Sequence, residues 1–261
     1  MLARLGSAPL AASLLFAASL HQGIEYADGS RKYHVVSTTS GTQSTPRGSA
    51  NFETGFSQQL SVTLARRATD TVVAGLTVDS IAIKSSGAPP DVRKLIGSRI
   101  TSLVSPTGKF YSATVPPGLP AELGQIVDGL SHFLPMFRSD LVTTKLWADT
   151  ITGKELQQGM SVDRTSIYTY VVSGDTTIGG ETALRIQRST RVRAAGTGTM
   201  QGTAVQIETK SSGGGVFFLT PRGLFMGGNS ADSLNLKITI LARHEEINIR
   251  ENQQTRIDVI R

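Results

Sequence analysis

The chain has 261 residues, with 26 Lys and Arg against 20 Asp and Glu and a formal net charge of +6. It contains no cysteine, which excludes disulfide bonds, a thiol nucleophile, thiolate metal sites and the lipid attachment of a bacterial lipoprotein. The basic excess is modest and comes without a basic run interleaved with aromatic residues, so we expect no nucleic-acid partner.

The first predicted element is a signal peptide over residues 1–19. Arg4 supplies its positive start, and Leu5–Leu20 is an uncharged, mostly apolar run that is shorter than the roughly 20 residues of a membrane-spanning helix. Small residues precede a cleavage site near Ser19. The alternative is an uncleaved N-terminal anchor. We expect an exported protein, periplasmic or secreted and without a lipid anchor, whose mature part has no transmembrane span.

Residues 20–261 are predicted to form a single β-rich domain. Apolar and polar residues alternate in SQQLSVTLA at 57–65 and in SLNLKITIL at 233–241. Such alternation is typical of half-buried strands with one wet face, and therefore of an antiparallel sheet. The strands are predicted at about 31–43, 50–66, 71–86, 98–105, 108–115, 143–151, 162–177, 181–195, 199–212, 214–220, 223–230, 233–243 and 246–260.

Two segments interrupt the alternation. Pro89–Gly97 has a proline near its start and a glycine at its end, as a short helix does. From Pro120, apolar residues recur at helical spacing as far as Leu134, and Pro135 ends the pattern. We therefore predict a mainly β (α+β) fold, with a large curved antiparallel sheet or half-barrel and one long and one short helix packed on it.

A seven-residue plan occurs twice in the chain, as VSPTGKF at Val104–Phe110 and as LTPRGLF at Leu219–Phe225. Both copies match a type I turn with Pro at the second position and a closing Gly, so both are predicted hairpin tips. The repetition suggests the hypothesis of an internal duplication, with halves at about 31–118 and 143–260 joined by the helix at about 120–134. The alternative is an antiparallel meander that reuses one turn chemistry.

The pattern assigns no catalytic residue, no metal site and no cofactor. The four histidines are scattered along the chain. His132 is the candidate general base, because Asp128 precedes it by one helical turn; the alternative is a histidine that simply ends a helix. Gly196–Gly202 and Gly213–Gly215 lack the flanking residues of a phosphate loop, so we interpret them as hairpin loops or as bulges in a bent sheet.

The densest aromatic and methionine cluster surrounds the predicted helix end and the only tryptophan. It either belongs to the core or lines an apolar pocket between helix and sheet. Its candidate ligand-binding residues are Trp147, Phe133, Phe137, Met136, Leu130 and His132.

A basic run, RIQRSTRVR, forms a second candidate binding surface. On a strand, Arg185, Arg191 and Arg193 share one face, while Arg188 lies with the apolar residues of the other. Three arginines on one face bind phosphate or carboxylate groups well. The alternative is the solvated outer face of a sheet.

Long wet-faced strands with one amphipathic helix, in an exported chain, resemble the half-barrel of bacterial lipoprotein carriers of the LolA/LppX type. In that family a bent antiparallel sheet wraps helices and encloses a cavity for acyl chains, so the resemblance implies a lipid-like ligand. The aromatic-Pro helix end, the LWADT strand start and the late Gly-x-Phe turn also resemble a family of uncharacterised secreted bacterial β proteins, which has no assigned activity.

Three hypotheses about function follow. The first is a non-catalytic binding or carrier protein for an apolar or lipid-like small molecule in the cell envelope. The second is a structural envelope or surface-interaction protein. The third is a hydrolase that uses His132.

Overall fold

The computed structural model describes residues 23–87, 90–120, 123–157, 160–200 and 202–260. The predicted signal peptide lies outside these residues. Within them, no helix combines the length and the hydropathy that crossing a membrane requires.

Strands make up 71% of the structure, which confirms the mainly β class. They form one eleven-stranded antiparallel sheet that is not closed into a barrel. The strands are β1 Gly29–Thr45, β2 Gly48–Ala68, β3 Thr71–Ser85, β4 Arg99–Val104, β5 Phe110–Thr114, β6 Leu146–Gln157, β7 Met160–Ile178, β8 Glu181–Met200, β9 Thr203–Leu219, β10 Phe225–Ile240 and β11 Glu245–Ile260.

The first and last strands meet in the middle of the sheet. The strand order is β5-β4-β3-β2-β1-β11-β10-β9-β8-β7-β6. The chain therefore runs outward from β1 to one edge, crosses to the other edge, and returns to the centre as β11. The pairing of β1 with β11 extends from Lys32 opposite Ile260 to Ser44 opposite Asn248. This one interface joins the two parts of the sequence into a continuous sheet.

The sheet is strongly curved. Arg31 of β1 forms an ion pair of 3.1 Å with Glu181 at the start of β8. These strands are four places apart, which in a flat sheet is a separation of about 19 Å. Tyr33 of β1 likewise stacks on Phe225 of β10, with ring centroids 5.6 Å apart. We call the concave side, which carries the core, the inner face, and the opposite side the outer face.

Alternation along each strand separates these two faces. In β1, Tyr33, Val35 and Ser37 are buried on the inner face, while Lys32, Val36 and Thr38 are exposed on the outer face. The main core lies at the end of the sheet where β1 begins, which we call the lower end. It includes Leu60, Val62, Leu76, Ile100, Val172, Ile186, Phe217 and Leu219.

The two predicted hairpin tips are confirmed, and both lie at the lower end. Gly108 and Gly223 have φ angles of 86° and 80°, in the left-handed region that glycine tolerates. Their N–H groups donate to the carbonyls of Ser105 and Thr220, each at 2.9 Å. The Ser105 and Thr220 hydroxyls also accept the N–H four residues further on, at 2.9 and 3.0 Å.

Both tips hold the same N-terminal segment, residues 24–27. The N–H of Tyr26 donates to the Pro106 carbonyl at 2.7 Å, and the N–H of Ala27 donates to the Gly223 carbonyl at 3.1 Å. The Tyr26 ring is buried, and its hydroxyl donates to the carbonyl of Pro135. The segment thus connects two turns from opposite arms of the sheet to the chain that follows the helix.

The structure does not confirm the pair of one long and one short helix. The α-helix, α1, covers only Gly124–Ser131, and the predicted short helix is a single 3-10 turn at Arg93–Leu95. After α1 the chain is irregular, because Pro135 has no N–H group and cannot continue the helical hydrogen bonds. Phe133, Leu134 and Phe137 of this irregular stretch are buried in the core. α1 packs mainly on β4.

Several predicted strand breaks are wrong. The predicted strands 199–212 and 214–220 form one strand, β9, and 223–230 and 233–243 form β10. The glycines at 213–215 were expected to form either a hairpin loop or a bulge in a bent sheet; they lie within β9 and have no positive φ angle. A side chain at Gly213 would meet that of Asp232, and one at Gly215 would meet the backbone of β10. These glycines therefore allow close approach in a bent sheet instead of ending a strand.

Candidate functional site

The inner face carries a band of polar residues half-way along the strands. Antiparallel partners lie on the same face of a sheet, so the register gives two rows across it. We call these two rows the polar belt. The lower row is Trp147, Tyr170, Arg188, Gly215, Ser230, Thr255, Ser37 and Phe56. The upper row is Asp149, Tyr168, Thr190, Gly213, Asp232, Gln253, Thr39 and Thr54.

Apolar zones lie on both sides of the polar belt. Below it is the main core. Above it is a second group that we call the upper apolar cluster, on β7 to β10. The cluster consists of buried Val162, Val205 and Ile207 and partly buried Ala194, Met200, Leu236, Ile238 and Ile240. The inner face is therefore amphipathic along the strand direction: apolar, polar, then apolar again.

The two sides of the belt differ in how their polar groups are satisfied. At the centre of the sheet, Ser37 and Thr255 share a hydrogen bond of 3.0 Å, and Gln253 donates to Ser37 at 3.1 Å. On the β6 to β8 side, the Trp147 Nε1 and Thr190 Oγ1 atoms are buried and have no hydrogen-bond partner among the described residues. Buried polar atoms are paired in the great majority of native structures, so this side has unused hydrogen-bonding capacity.

Aromatic rings surround the unpaired indole. Trp147 stacks on Tyr170, with centroids 4.7 Å apart and planes 8° from parallel, and Tyr168 lies 6.4 Å from Tyr170. Burial raises the pKa of the Tyr170 hydroxyl, while the nearby Arg188 guanidinium acts in the opposite direction. Tyr170 therefore stays protonated at neutral pH, next to a positive charge.

The inner face also carries a half-buried carboxylate, Glu251, whose pKa is raised. Glu251 lies between Gly41 and Leu234 in the row above the belt. Burial raises the pKa of its side chain, since a charged carboxylate loses hydration there. The polar belt and the row above it therefore contain both a basic residue, Arg188, and an acidic one, Glu251.

The predicted aromatic cluster is packed into the core. Leu130, Phe133, Phe137 and Trp147 are buried, and Met136 packs against the same core. Phe133 makes an edge contact with the Tyr33 ring at 5.2 Å. Of this cluster, Trp147 is the member that also belongs to the polar belt.

The three predicted arginines lie elsewhere. Arg185, Arg191 and Arg193 are exposed on the outer face of β8, so the structure does not bring them to the aromatic cluster. Arg188, from the same strand, lies half-buried on the inner face. Sequence reasoning did not propose Arg188, Thr190 or Tyr170 as site residues. The sequence did place Arg188 on the same face of β8 as the apolar residues Ile186 and Val192, and this was the signal that could have identified it.

His132 lies at the C-terminal end of α1, near the surface. Its side chain is 49% exposed, its Nε2 atom is 3.6 Å from Asp128 Oδ1, and its ring is 4.1 Å from that of Phe110. In the described part of the chain, no serine or threonine hydroxyl is hydrogen-bonded to it. Nor do three His, Asp or Glu side chains in those ranges lie close enough to hold a metal ion.

Two clefts of the described surface open on the outer face. One, of about 380 Å³, is lined by Val36, Thr38, Asn229, Gln254 and Arg256 among others. The second, of about 630 Å³, is formed by the upper ends of β1, β2 and β11. Neither cleft lies between α1 and the sheet, the position in which the aromatic cluster was expected to line a pocket.

No family model matches the chain, and no curated protein matches it. One similar solved structure is a domain named for outer membrane lipoprotein sorting, from Vibrio parahaemolyticus, with 8% identity, 87% of this chain and 83% of that chain covered, and a TM-score of 0.15. Another is a DUF1329 family protein from Desulfovibrio piger, with 7% identity, 86% and 85% covered, and a TM-score of 0.19. Likenesses at these TM-scores carry no argument. The class of protein is defined by the fold itself, an open antiparallel sheet with an amphipathic inner face.

Proposed function

We propose that the protein is an exported, non-catalytic binding or carrier protein that holds an apolar or lipid-like ligand on the inner face of its sheet. One observation supports this above all others. The strands extend well beyond the main core, and the inner face of this extension is lined by apolar side chains that the core does not cover. They are Val192, Leu234, Leu236, Ile249 and Ile151.

The apolar extension has the dimensions of an acyl chain. Leu234 to Ile240 of β10 spans about 20 Å. One leaflet of a bilayer core, the length of one acyl chain, is about 15 Å. α1 packs mainly on β4, on the other arm of the sheet, and so does not cover this stretch, in which Leu234 and Leu236 are partly exposed. Transfer of each methylene from water stabilises binding by about 0.8 kcal/mol.

Export supports an envelope location for this ligand. The signal-peptide pattern of residues 1–19 indicates secretion or a periplasmic address. A lipid-like molecule needs a protein surface to cross an aqueous compartment, since its transfer into water is unfavourable. We therefore place the carrier in the periplasm or outside the cell.

The test is displacement of a neutral fluorescent dye, Nile red, from the purified mature chain by long-chain amphiphiles, together with native mass spectrometry of co-purified lipid. Leu236→Lys places a charge on the inner face and is expected to weaken binding at least about tenfold, because the charge must be desolvated. Asn235→Lys, its neighbour on the outer face, is the control and should bind like the unchanged protein. Absence of both dye displacement and co-purified lipid would overturn the proposal.

A surface-interaction role is the second candidate, and the β6 edge favours it. β6 pairs only with β7 in the sheet. Leu146, Ile167 and Val171 are 65%, 43% and 38% exposed, and the register places them together on the outer face. An extended segment of another protein would add a strand there. Loss of a co-purified partner on Leu146→Asp would support this role, and an unchanged monomer would oppose it.

A further inference from the structure

Arg188 is a half-buried cation with unused donors. Alternation along β8 turns it to the inner face, while its neighbours Arg185 and Arg191 are exposed to water. In the part of the chain that the structure describes, it forms no ion pair and no hydrogen bond. Arg31 and Arg66, by contrast, pair with Glu181 and Glu25. A guanidinium that has lost part of its hydration gains most from a planar anion, which it binds through two parallel hydrogen bonds.

The surroundings of Arg188 add two unpaired donors. Trp147, two strands away in the same row, is only 6% exposed and has an unpaired Nε1–H. Thr190, the next inner-face residue of β8, has an unpaired hydroxyl. Directly opposite Arg188 and Thr190 are Gly215 and Gly213 of β9. These two glycines place no side chain of β9 beside the guanidinium; the Asp232 side chain lies against Gly213, and the backbone of β10 lies close to Gly215.

The acidic groups of the inner face restrict where an anion can lie. Asp149 and Asp232 are in the upper row of the belt, on either side of Thr190, and Glu251 is one row higher. They repel a negative charge placed above Thr190. The favourable position is therefore in the lower row, over the Tyr170 ring that lies between Arg188 and Trp147. From there an apolar chain passes Val192 toward the upper apolar cluster.

From this geometry we infer that the polar belt is a binding site for the anionic head group, a carboxylate or a phosphate, of a single-chain amphiphile. Arg188 binds the anion, the Trp147 Nε1–H and the Thr190 hydroxyl complete its hydrogen bonds, and the chain lies on the upper apolar cluster. This inference rests on the proposed carrier function and adds to it the chemical class of the head group and the residue that selects it.

The experiment compares three amphiphiles of the same chain length by Nile red displacement: oleate, oleoyl lysophosphatidic acid and neutral monoolein. Arg188→Gln is expected to weaken binding of the two anions about tenfold or more, the size of a lost charged hydrogen bond. Monoolein affinity should not change. Arg191→Gln, three positions further along β8 and on the outer face, is the control and should leave all three affinities unchanged. Whichever anion is favoured identifies the head group as carboxylate or phosphate.

Trp147→Phe keeps an aromatic ring in the stack and removes the N–H together with the five-membered ring. It should reduce anion affinity by a smaller factor than Arg188→Gln and leave monoolein affinity unchanged. Thermal unfolding shows whether either variant is misfolded. If Arg188→Gln leaves anion binding unchanged, or weakens monoolein equally, the head-group site is overturned while the carrier function stands. If none of the three amphiphiles displaces the dye, the carrier function fails and the head-group site fails with it.

Discussion

Neighbouring side chains of one strand acquire opposite roles in this protein. In β8, Arg191 is exposed to water, whereas Arg188 lies on the inner face between Tyr170 and Gly215. The difference arises from the two-residue period of a strand, which sends alternate side chains to opposite faces. The same run of arginines therefore combines a solvated outer surface with a half-buried cation that is suited to binding an anion.

Glu251 gives a residue-scale prediction about pH. Burial raises its pKa, so the folded chain binds this proton more tightly than the unfolded chain. The contribution to stability is then full below the unfolded pKa and is lost as pH rises through the folded pKa. Above the folded pKa the carboxylate is charged and loses hydration by burial, and the acidic residue Asp232 lies diagonally across from it on β10. We expect Glu251→Gln to raise the melting temperature at pH 7.

The gain should shrink on acidification and vanish at about pH 4 or below, where Glu251 itself is protonated. Circular-dichroism melts at pH 7 and at low pH measure this. Glu208→Gln, on the exposed outer face of β9, is the control, with little effect at either pH. A melting temperature that does not rise at pH 7 would contradict the argument.

At the scale of elements, two turns of the same design hold one segment. The tips at Ser105–Gly108 and Thr220–Gly223 come from opposite arms of the sheet, and both accept an N–H from residues 24–27. The segment buries Tyr26 and Ile24 in the main core. Local turn chemistry thus serves tertiary packing, because the left-handed glycine lets the backbone of the tip approach the segment closely.

The prediction at this scale concerns Gly223. A methyl group at Gly223 must adopt φ 80° and would also meet the carbonyl oxygen of Glu25. Gly202 has φ 77° with nothing within 4 Å, so Gly202→Ala isolates the conformational cost, about 1 kcal/mol. We expect Gly223→Ala to reduce the free energy of unfolding by at least twice as much, measured in urea. If both variants lose the same free energy of unfolding, residues 24–27 can move away from the new methyl group at no energetic cost, and the argument for close packing at Gly223 is wrong.

At the scale of the whole molecule, the first and last strands form the middle of the sheet. Lys32 of β1 pairs with Ile260 of β11, so the central interface cannot form before β11 has been synthesised. Such long-range pairing makes folding slow, because loop closure precedes the contacts that stabilise it. The main core also takes residues from both arms of the sheet, including Leu60 and Phe217.

We therefore predict that the domain unfolds in one cooperative transition. Trp147, the only tryptophan, reports on β6 and its neighbours, while far-ultraviolet circular dichroism reports on all strands. The two signals should give the same urea midpoint. An earlier fluorescence transition would show instead that the β6 to β11 arm unfolds separately, as expected of two independent halves.

The fold was predictable from the sequence to the extent that its causes are local. The alternation at 57–65 and at 233–241 correctly indicated antiparallel strands with one wet face. The two Pro-x-Gly tips were also predictable, since a turn depends on four residues. Gly213–Gly215 misled, because glycine allows both a turn and a close approach within a strand, and only the partner strand β10 distinguishes them.

The candidate site depended far less on local sequence. The predicted aromatic cluster was assembled from neighbours in the chain, and it proved to be packed core. The sequence pattern indicated that Arg188 points to the inner face. Trp147, Thr190 and Gly215 come close to it only through the register of β6 to β9. Periodicity cannot supply that register, because a shift of two residues preserves every face assignment.

The sequence by itself determined the mainly β class, the two Pro-x-Gly turns and the face to which each strand residue points, because these follow from a two-residue period and from the backbone preferences of single residues. Only the tertiary structure decided that β11 lies beside β1, that the sheet curves enough for Arg31 to reach Glu181, and that the polar belt forms. The physical reason is that register and curvature arise from contacts between residues far apart in the chain, and no local pattern encodes them.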